Sequence, residues 1–135
     1  TLPKALQISL TEMTQESPVQ TEFQLTGTPY PLPEDIQTNL LRIGQEAITN
    51  ALRHANADHL RLTLSYTSDS VSMSITDDGQ GCPITSLADV EGFGLLGMRE
   101  RVLRFEGQFA FNSTPGEGTV IEIAIPTEER VGGGE

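Results

Sequence analysis

The sequence is poor in cysteine, in basic residues and in long apolar runs, and each shortage excludes a class of protein. Its one cysteine, Cys82, cannot form an intramolecular disulfide and suits a reducing compartment, so we expect a cytoplasmic location, whether or not a parent protein is anchored in a membrane. No apolar run approaches the ~20 residues that cross a bilayer, and the N-terminus lacks a basic-then-apolar signal pattern. Eight basic against 19 acidic residues give a net charge of −11, which argues against nucleic acid or an anionic membrane as a general partner.

Two familiar ligand motifs are missing as well. The pattern G-x-x-x-x-G-K-[ST] does not occur, so the chain has no P-loop. His54 and His59 do not combine with Cys82 at a spacing typical of a metal site. The sequence does contain periodic apolar runs: 36% of its 135 residues are hydrophobic, which is enough for one domain with a real core.

The periodicity of these runs predicts an α+β domain. Apolar residues three and four apart predict helices from Leu2 to about Glu16, from Pro33 to Ala55, and from Gly92–Gly97 to Gly107, which we expect to cap the third helix. Alternating patterns predict strands, which are Val19–Leu25 (with Val19, Thr21, Phe23 and Leu25 facing inward), Leu60–Tyr66, Val71–Ile75, Phe109–Phe111 and Val120–Ile125. We therefore expect a two-layer α/β sandwich, in which one mixed, mostly antiparallel sheet carries helices on one face.

The chain is expected to hold a single domain. Residues 1–127 contain all the periodic segments, and residues 128–135, with Gly132–Gly134, resemble a flexible tail. Because the sequence starts and ends abruptly, we interpret it as a domain from a longer protein.

The central helix carries a pair of polar residues that is a candidate for chemistry. Glu46 and Asn50 lie one turn apart on the same face, beside the apolar stripe. The Asn50 side chain offers a neutral oxygen to Mg²⁺, which otherwise takes water and nucleotide phosphates as ligands. Glu46 is placed to orient or deprotonate a hydroxyl or a water. The simpler interpretation of the pair alone is two polar residues on the helix surface.

A second candidate site follows the strand that ends in Asp77. In the segment Asp77-Asp78-Gly79-Gln80-Gly81, Gly79 and Gly81 would let a flat ligand approach the backbone. A buried Asp77 carboxylate that accepts from an exocyclic amine would distinguish adenine from guanine. An ordinary Asp-Gly turn explains the same residues equally well.

The segment Gly92-Phe93-Gly94-Leu95-Leu96-Gly97 fits G-x-G-x-x-G, but no buried strand precedes it, as a Rossmann fingerprint would require. Glycines that open a helix still present backbone N–H groups, here those of Gly94–Gly97, to a phosphate. Purely structural glycines are the alternative. Two weaker candidates are Thr119, which could hydrogen-bond a ligand, and His54, one turn after Asn50, for which a solvated or locally bonded side chain is the simpler interpretation.

Taken together and in order, these segments resemble the catalytic ATP-binding domain of bacterial sensor histidine kinases, whose Bergerat-type fold is shared with DNA gyrase, heat-shock chaperone ATPases and mismatch-repair ATPases. IGQEAITNALRHA is similar to the N box, in which Glu46 matches the base and Asn50 the Mg²⁺ ligand. DDGQG resembles the first glycine box, whose aspartate, here Asp77, binds the adenine amine. GFGLLGMRERV resembles the second glycine box, and GEGT the turn before the last strand. The resemblance spans about residues 32–126.

The motif GLLGMRERV and the short segment Cys82–Glu91 are most similar to those of the subfamily of nitrate/nitrite and membrane-fluidity sensors. Two features of other kinases are missing, since neither His54 nor His59 lies in an H-box and no separate phenylalanine box occurs. The chain therefore lacks a phosphoacceptor of the usual kind.

The resemblance implies that the domain binds ATP and Mg²⁺ and supplies the γ-phosphoryl group to a histidine on a dimerisation domain outside this chain. A response regulator downstream and a homodimeric parent are implied in the same way, with little turnover for the chain alone. Two alternatives stay open: a nucleotide-binding switch without kinase activity, and a Rossmann-type oxidoreductase that binds NAD at Gly92–Gly97.

Overall fold

The structure is a computed structural model that describes residues 1–79, 94–114 and 116–127, without the side chains of residues 54 and 55. Its elements in chain order are α1 (Leu2–Met13), β1 (Gln20–Thr26), α2 (Glu34–Asn50), β2 (His59–Tyr66), β3 (Ser70–Asp77), α3 (Leu95–Leu103), β4 (Gln108–Thr114) and β5 (Gly118–Pro126). One π-helical turn, Ala51–Ala55, continues α2. Among these helices none is both long and apolar enough to cross a membrane.

In the described parts of the chain, five strands form one sheet in the order β1-β2-β3-β5-β4. β1 and β2 run parallel, whereas each of the other neighbouring pairs runs antiparallel. Alternate side chains of β2 and β3 are buried against the helices, and the opposite face presents small polar side chains such as Thr63 and Ser72. The predicted mixed, mostly antiparallel sandwich with helices on one face is confirmed. The Rossmann alternative is wrong, because that fold needs a parallel sheet.

The helix α2 lies directly over the middle of the sheet. A Cβ built on Gly44 would lie 2.7 Å from Leu6 Cδ2 of α1 and 3.7 Å from Met73 Sδ of β3. α2 therefore packs closely against α1 at a position that has no side chain, and it contacts the sheet at β3 there. This packing helps to position Glu46 and Asn50, which follow on the same helix.

The strand β1 is the least accurately predicted element. Thr21 and Leu25 pair with the buried residues Leu60 and Leu64, so they lie on the predicted face of the sheet, but Thr21 is exposed and Leu25 is 44% exposed. Phe23 is half-buried and packs against the core. The physical reason is the position of β1 at the edge of the sheet, where it pairs with β2 on one side and with no strand of the described chain on the other. Alternation in the sequence reports the face of a strand but not its place in the sheet.

The end of α3 differs from the prediction in the same instructive way. Glu106, rather than Gly107, adopts the left-handed conformation (φ 61°), and the Gly107 amide donates to the Val102 carbonyl at 3.0 Å. Gly107 is required for packing instead, since a Cβ there would lie 2.6 Å from the Ala124 carbonyl oxygen of β5. The helix ends at Leu103, before the predicted position, and Glu106 takes the left-handed conformation that was expected of Gly107.

Candidate functional site

The predicted site residues come together at one end of the sheet. β3 ends at Asp77, which pairs with Leu60 near the start of β2 and with Thr119 near the start of β5. α2 reaches β2 through residues 51–58, so the end of α2 that carries Asn50 lies toward the same end of the sheet. The sequence separates Asp77 from Thr119 by 42 positions, and the strand pairing brings the two residues together.

Asp77 is a buried carboxylate with a small set of backbone partners. Asp77 is only 8% exposed, and its Oδ1 accepts a hydrogen bond from the Gly79 amide at 2.9 Å. Burial raises the pKa of Asp77 above its ordinary value; hydrogen bonds from the backbone of Gly79 and Thr119 lower the pKa, and the charge of Asp78 raises it. A carboxylate that is buried at such a cost is a candidate for ligand binding.

Gly118 allows β5 to start directly against Asp77. It has a φ of 113°, and a Cβ there would overlap the Asp77 carbonyl oxygen. The next residue, Thr119, is half-buried, and its Oγ1 lies 3.1 Å from Ser113 Oγ of β4. From the sequence, Gly118 is only part of the predicted GEGT turn, because nothing in a single sequence reveals which backbone a glycine approaches.

Glu46 lies against the N-terminus of α3. The helices α2 and α3 run antiparallel: Arg101 Nη1 donates to Asn39 Oδ1 at 3.1 Å near one end, and Gly94 meets Glu46 at the other. A Cβ built on Gly94 would lie 2.5 Å from Glu46 Oε2, and Gly94 has a φ of 68°. The structure therefore brings the candidate base beside the glycine that precedes α3.

The first turn of α3 offers backbone donors at this point. Met98 is the first residue whose amide bonds back within the helix, to the Gly94 carbonyl at 3.0 Å. The N–H groups of Leu95, Leu96 and Gly97 therefore belong to the positive end of the helix dipole. The Leu95 side chain is part of the core, whereas Leu96 and Gly97 are exposed. Leu95 and Gly97 can therefore contact a ligand only through the backbone.

The π-helical turn follows Asn50 directly. Asn50 is half-buried, and Asn56 after the turn adopts a left-handed conformation with a φ of 51°. Such turns interrupt α-helices and occur often at functional sites. The predicted helix therefore continues to Ala55, but its last turn is π-helical rather than α-helical. The described residues contain no group of three or more His, Cys, Asp or Glu that could hold a metal.

Three predicted site residues fall outside this description. Gly81 and Gly92 lie outside the described residues, and so does the side chain of His54, whose backbone belongs to the π-helical turn. The same holds for residues 128–135, the expected tail.

Comparison with known proteins identifies the family of this chain and several of its relatives. Residues 35–129 match the family described as histidine kinase-, DNA gyrase B-, and HSP90-like ATPase. The chain belongs to this family. It is 38% identical over 117 residues to the sensor histidine kinase LnrJ of Bacillus subtilis, covering 84% of this chain and 28% of that protein. It is 36% identical over 110 residues to the signal transduction histidine-protein kinase/phosphatase DegS of Brevibacillus brevis, covering 80% of this chain and again 28% of the relative.

Solved structures agree on the fold. The histidine kinase domain of the blue-light activated kinase EL346 from Erythrobacter litoralis has a TM-score of 0.74 and 20% identity, with 96% of this chain and 64% of that chain covered. The catalytic domain of histidine kinase ThkA has a TM-score of 0.74 and 17% identity, with 93% and 89% covered. The resemblance to histidine kinase ATP-binding domains is thus confirmed, while the likeness to nitrate/nitrite and membrane-fluidity sensors stays a prediction.

Proposed function

We propose that this domain binds Mg·ATP and supplies the γ-phosphoryl group for phosphorylation of a histidine on a dimerisation domain outside these 135 residues. The observation that carries the proposal is the buried Asp77 carboxylate, which accepts from the Gly79 amide at the end of β3, where Gly118 packs against the Asp77 backbone. The chain spans 28% of the length of the two curated relatives above, so the acceptor, the response regulator and a homodimeric parent belong to the proposal.

Recognition of adenine follows from the chemistry at Asp77. An ionised carboxylate only accepts hydrogen bonds, and adenine has an exocyclic amine to donate where guanine has a carbonyl oxygen. The Gly79 amide donates to Oδ1, and because a carboxylate has about four acceptor sites it can still accept from a ligand. Gly79, whose amide lies beside the carboxylate, has no side chain there, so that a flat base can reach it.

The phosphates are expected near the start of α3, where backbone donors and the helix dipole favour an anion. The Glu46 carboxylate lies beside the same turn, so a phosphate there would be repelled unless a cation separated the two charges. Mg²⁺ suits this donor set: Asn50 carries a hard oxygen one turn after Glu46, and the described residues hold no ready-made cage of three ligands. When bound, the ion would neutralise phosphate charge, and Asn50 would hold it.

Glu46 is then placed to polarise the acceptor histidine as it approaches from the dimerisation domain. Phosphoryl transfer depends mainly on positioning and on stabilisation of charge, both of which need the acceptor. We therefore expect the domain alone to bind nucleotide with little turnover.

The variant Asp77→Asn tests the adenine contact. Its amide group would face the adenine amine donor to donor, and because hydrogen bonds to charged groups are worth about 1.5–3 kcal/mol, we expect ADP affinity to fall about 10- to 100-fold. Isothermal titration calorimetry with Mg·ADP measures this. The matched control is Asp69→Asn in the β2–β3 turn, at the other end of β3, which should bind as the parent does. Undiminished affinity in Asp77→Asn, or no binding to the unmodified domain at millimolar nucleotide, would refute the proposal.

Nucleotide affinity should also depend on pH through Asp77. Because burial raises its pKa, this carboxyl takes up a proton at a higher pH than an ordinary aspartate does, and ADP affinity should fall as the pH is lowered through that raised pKa. Folding has the opposite sign: the stability contributed by this group is fully present below its unfolded pKa and is lost as the pH rises through the folded pKa. Calorimetric titrations between about pH 4 and pH 8 measure how ADP affinity changes with pH, and Asp77→Asn removes the part of that change that is due to Asp77. Parallel slopes in both proteins would show that Asp77 does not titrate with binding.

A further inference from the structure

We propose that Asp78 is a positioning residue: with His59, it holds the turn that presents Asp77 to the base and ties that turn to the segment that follows Asn50. This inference rests on the proposed nucleotide function. The Asp78 carboxylate bonds to Asp58 and His59, so its effect on a nucleotide would pass through its neighbours.

The Asp78 carboxylate makes an unusual number of bonds for a surface group. Oδ1 accepts from the amides of Asp58 at 2.9 Å and His59 at 2.8 Å, and Oδ2 lies 2.7 Å from His59 Nδ1. The Asp78 amide in turn donates to the His59 carbonyl at 3.3 Å, which extends the β2–β3 pairing by one residue beyond the strand. Asp78 is therefore held at its backbone and at its side chain at the same time.

The exposure of the pair suggests what these bonds do. The side chains of His59 and Asp78 are 64% and 47% exposed, and ion pairs in such surroundings contribute little to the free energy of unfolding. The hydrogen bonds, first among them that from the His59 amide, lower the pKa of Asp78, so the carboxylate is ionised and acts as an acceptor at neutral pH. The main effect of these hydrogen bonds is therefore to fix the local geometry of the turn rather than to stabilise the fold.

The first consequence concerns Asp77. Side chains alternate along a strand, so the outward anchoring of Asp78 fixes the inward direction of Asp77. On the other side of Asp78, the Gly79 amide returns to Asp77 Oδ1 at 2.9 Å. The Asp77 carboxylate and the Gly79 amide that donates to it are thus both positioned by Asp78, which lies between them in the sequence.

The second consequence concerns Asn50. Residues 51–58 connect Asn50 to β2, and the amide of Asp58 is at the far end of that connection. The Asp78 carboxylate therefore links two parts of the proposed site. It connects the turn at Asp77, which would bind the base, to the segment that follows Asn50, which would hold Mg²⁺. Loss of this bond should loosen the base contact first, because it is one residue away.

The experiment compares three variants in the domain as it stands. Asp78→Ala removes all the acceptors, and we expect the ADP Kd to rise about tenfold and the preference for ADP over GDP to fall about fivefold. Asp78→Asn keeps an oxygen for the two amides and gains a donor for neutral His59 Nδ1, so it should stay within about threefold of the parent. His59→Ala removes one bond of three and should fall between them.

The matched control is Glu22→Ala. It breaks the neighbouring surface pair between Glu22 Oε1 and Arg61 Nε, 3.2 Å apart, without touching Asp78, and should leave ADP affinity unchanged. Calorimetry is run well below the melting temperature of each variant. The preference for ADP over GDP is the decisive readout, because partial unfolding lowers both affinities equally. Amide hydrogen exchange at Gly79, which should be faster in Asp78→Ala, tests the positioning without any ligand.

The outcomes separate the two proposals. No ADP binding by the unmodified domain would refute the nucleotide function, and the exchange of the Gly79 amide would still test Asp78. Normal binding with an unchanged ADP preference and unchanged Gly79 exchange in Asp78→Ala would overturn the inference. If Asp78→Ala fails to fold, an ADP preference in His59→Ala that equals that of Glu22→Ala would overturn it as well.

Discussion

Replacing Glu46 by Gln in a full-length parent is expected to lower the rate of histidine phosphorylation at least about 100-fold, with ATP affinity within about threefold of the unmodified protein. Gln keeps the size and polarity of the side chain but cannot accept a proton. Glu46 is exposed, lies beside the start of α3 and does not contribute to the core, so the fold should survive the change. Transfer of labelled phosphate from ATP measures the rate, and calorimetry on the domain measures affinity.

The control for this variant is Glu34→Gln in the first turn of the same helix. It removes an equal charge far from the proposed site and should transfer phosphate at the parental rate. A parental rate in Glu46→Gln would show that this carboxylate is not the base. If the unmodified parent binds ATP but transfers no phosphate, the nucleotide-binding switch becomes the better description of the protein.

Gly118→Ala is expected to destabilise the domain by about 2–5 kcal/mol, since it combines a backbone conformation that L-residues rarely adopt with a collision. Gly118 has a φ of 113°, and its added methyl group would meet the Asp77 carbonyl oxygen, a backbone atom in the middle of the sheet. The strand has to move to accept it, so the Asp77 carboxylate should move as well. We expect ADP affinity of the remaining folded protein to fall about tenfold.

Urea denaturation measures the stability of this variant, and Gly116→Ala is its control. Gly116 also has a positive φ of 82°, but none of the described atoms lies within 4 Å of a Cβ there. Its cost should be only that of the left-handed conformation, about 1–2 kcal/mol, without loss of ADP affinity. Equal destabilisation by the two substitutions would mean that β5 is not held against Asp77 as the structure places it.

The alternation of residue types in the sequence predicted burial correctly where one face of a strand packs on the core and the other carries polar side chains. The β2–β3 hairpin is the clearest case, because Leu62 and Met73 alternate with polar residues and are buried as predicted. Pattern failed where a third element decides the outcome. Leu25 alternates like a core residue but lies on an edge strand, and Gly107 was expected to turn the chain but instead packs against Ala124 of β5.

The site shows the same division. Its candidate residues were found from their types and spacing, and the structure places Glu46, Asp77 and Thr119 near converging ends of helices and strands. Their roles stay predictions until they are tested. The contacts that surround them were not foreseen: Gly118 against Asp77, Gly94 against Glu46, and Asp78 against His59. Each of these joins residues at least 19 positions apart, a separation at which a single sequence carries no information about contact.

The sequence by itself determined the order of the elements, the buried face of the central helix and hairpin, and which residue types are available for nucleotide chemistry. Those properties follow from periodicity and from side-chain chemistry, which are local. Only the tertiary structure decided which glycine faces which backbone, which strand lies at the edge, and which aspartate of Asp77-Asp78 is buried and which anchors the turn. These depend on strand pairing and close packing between distant segments, because a carboxylate acquires its partners and its pKa only where the folded chain brings other groups to it.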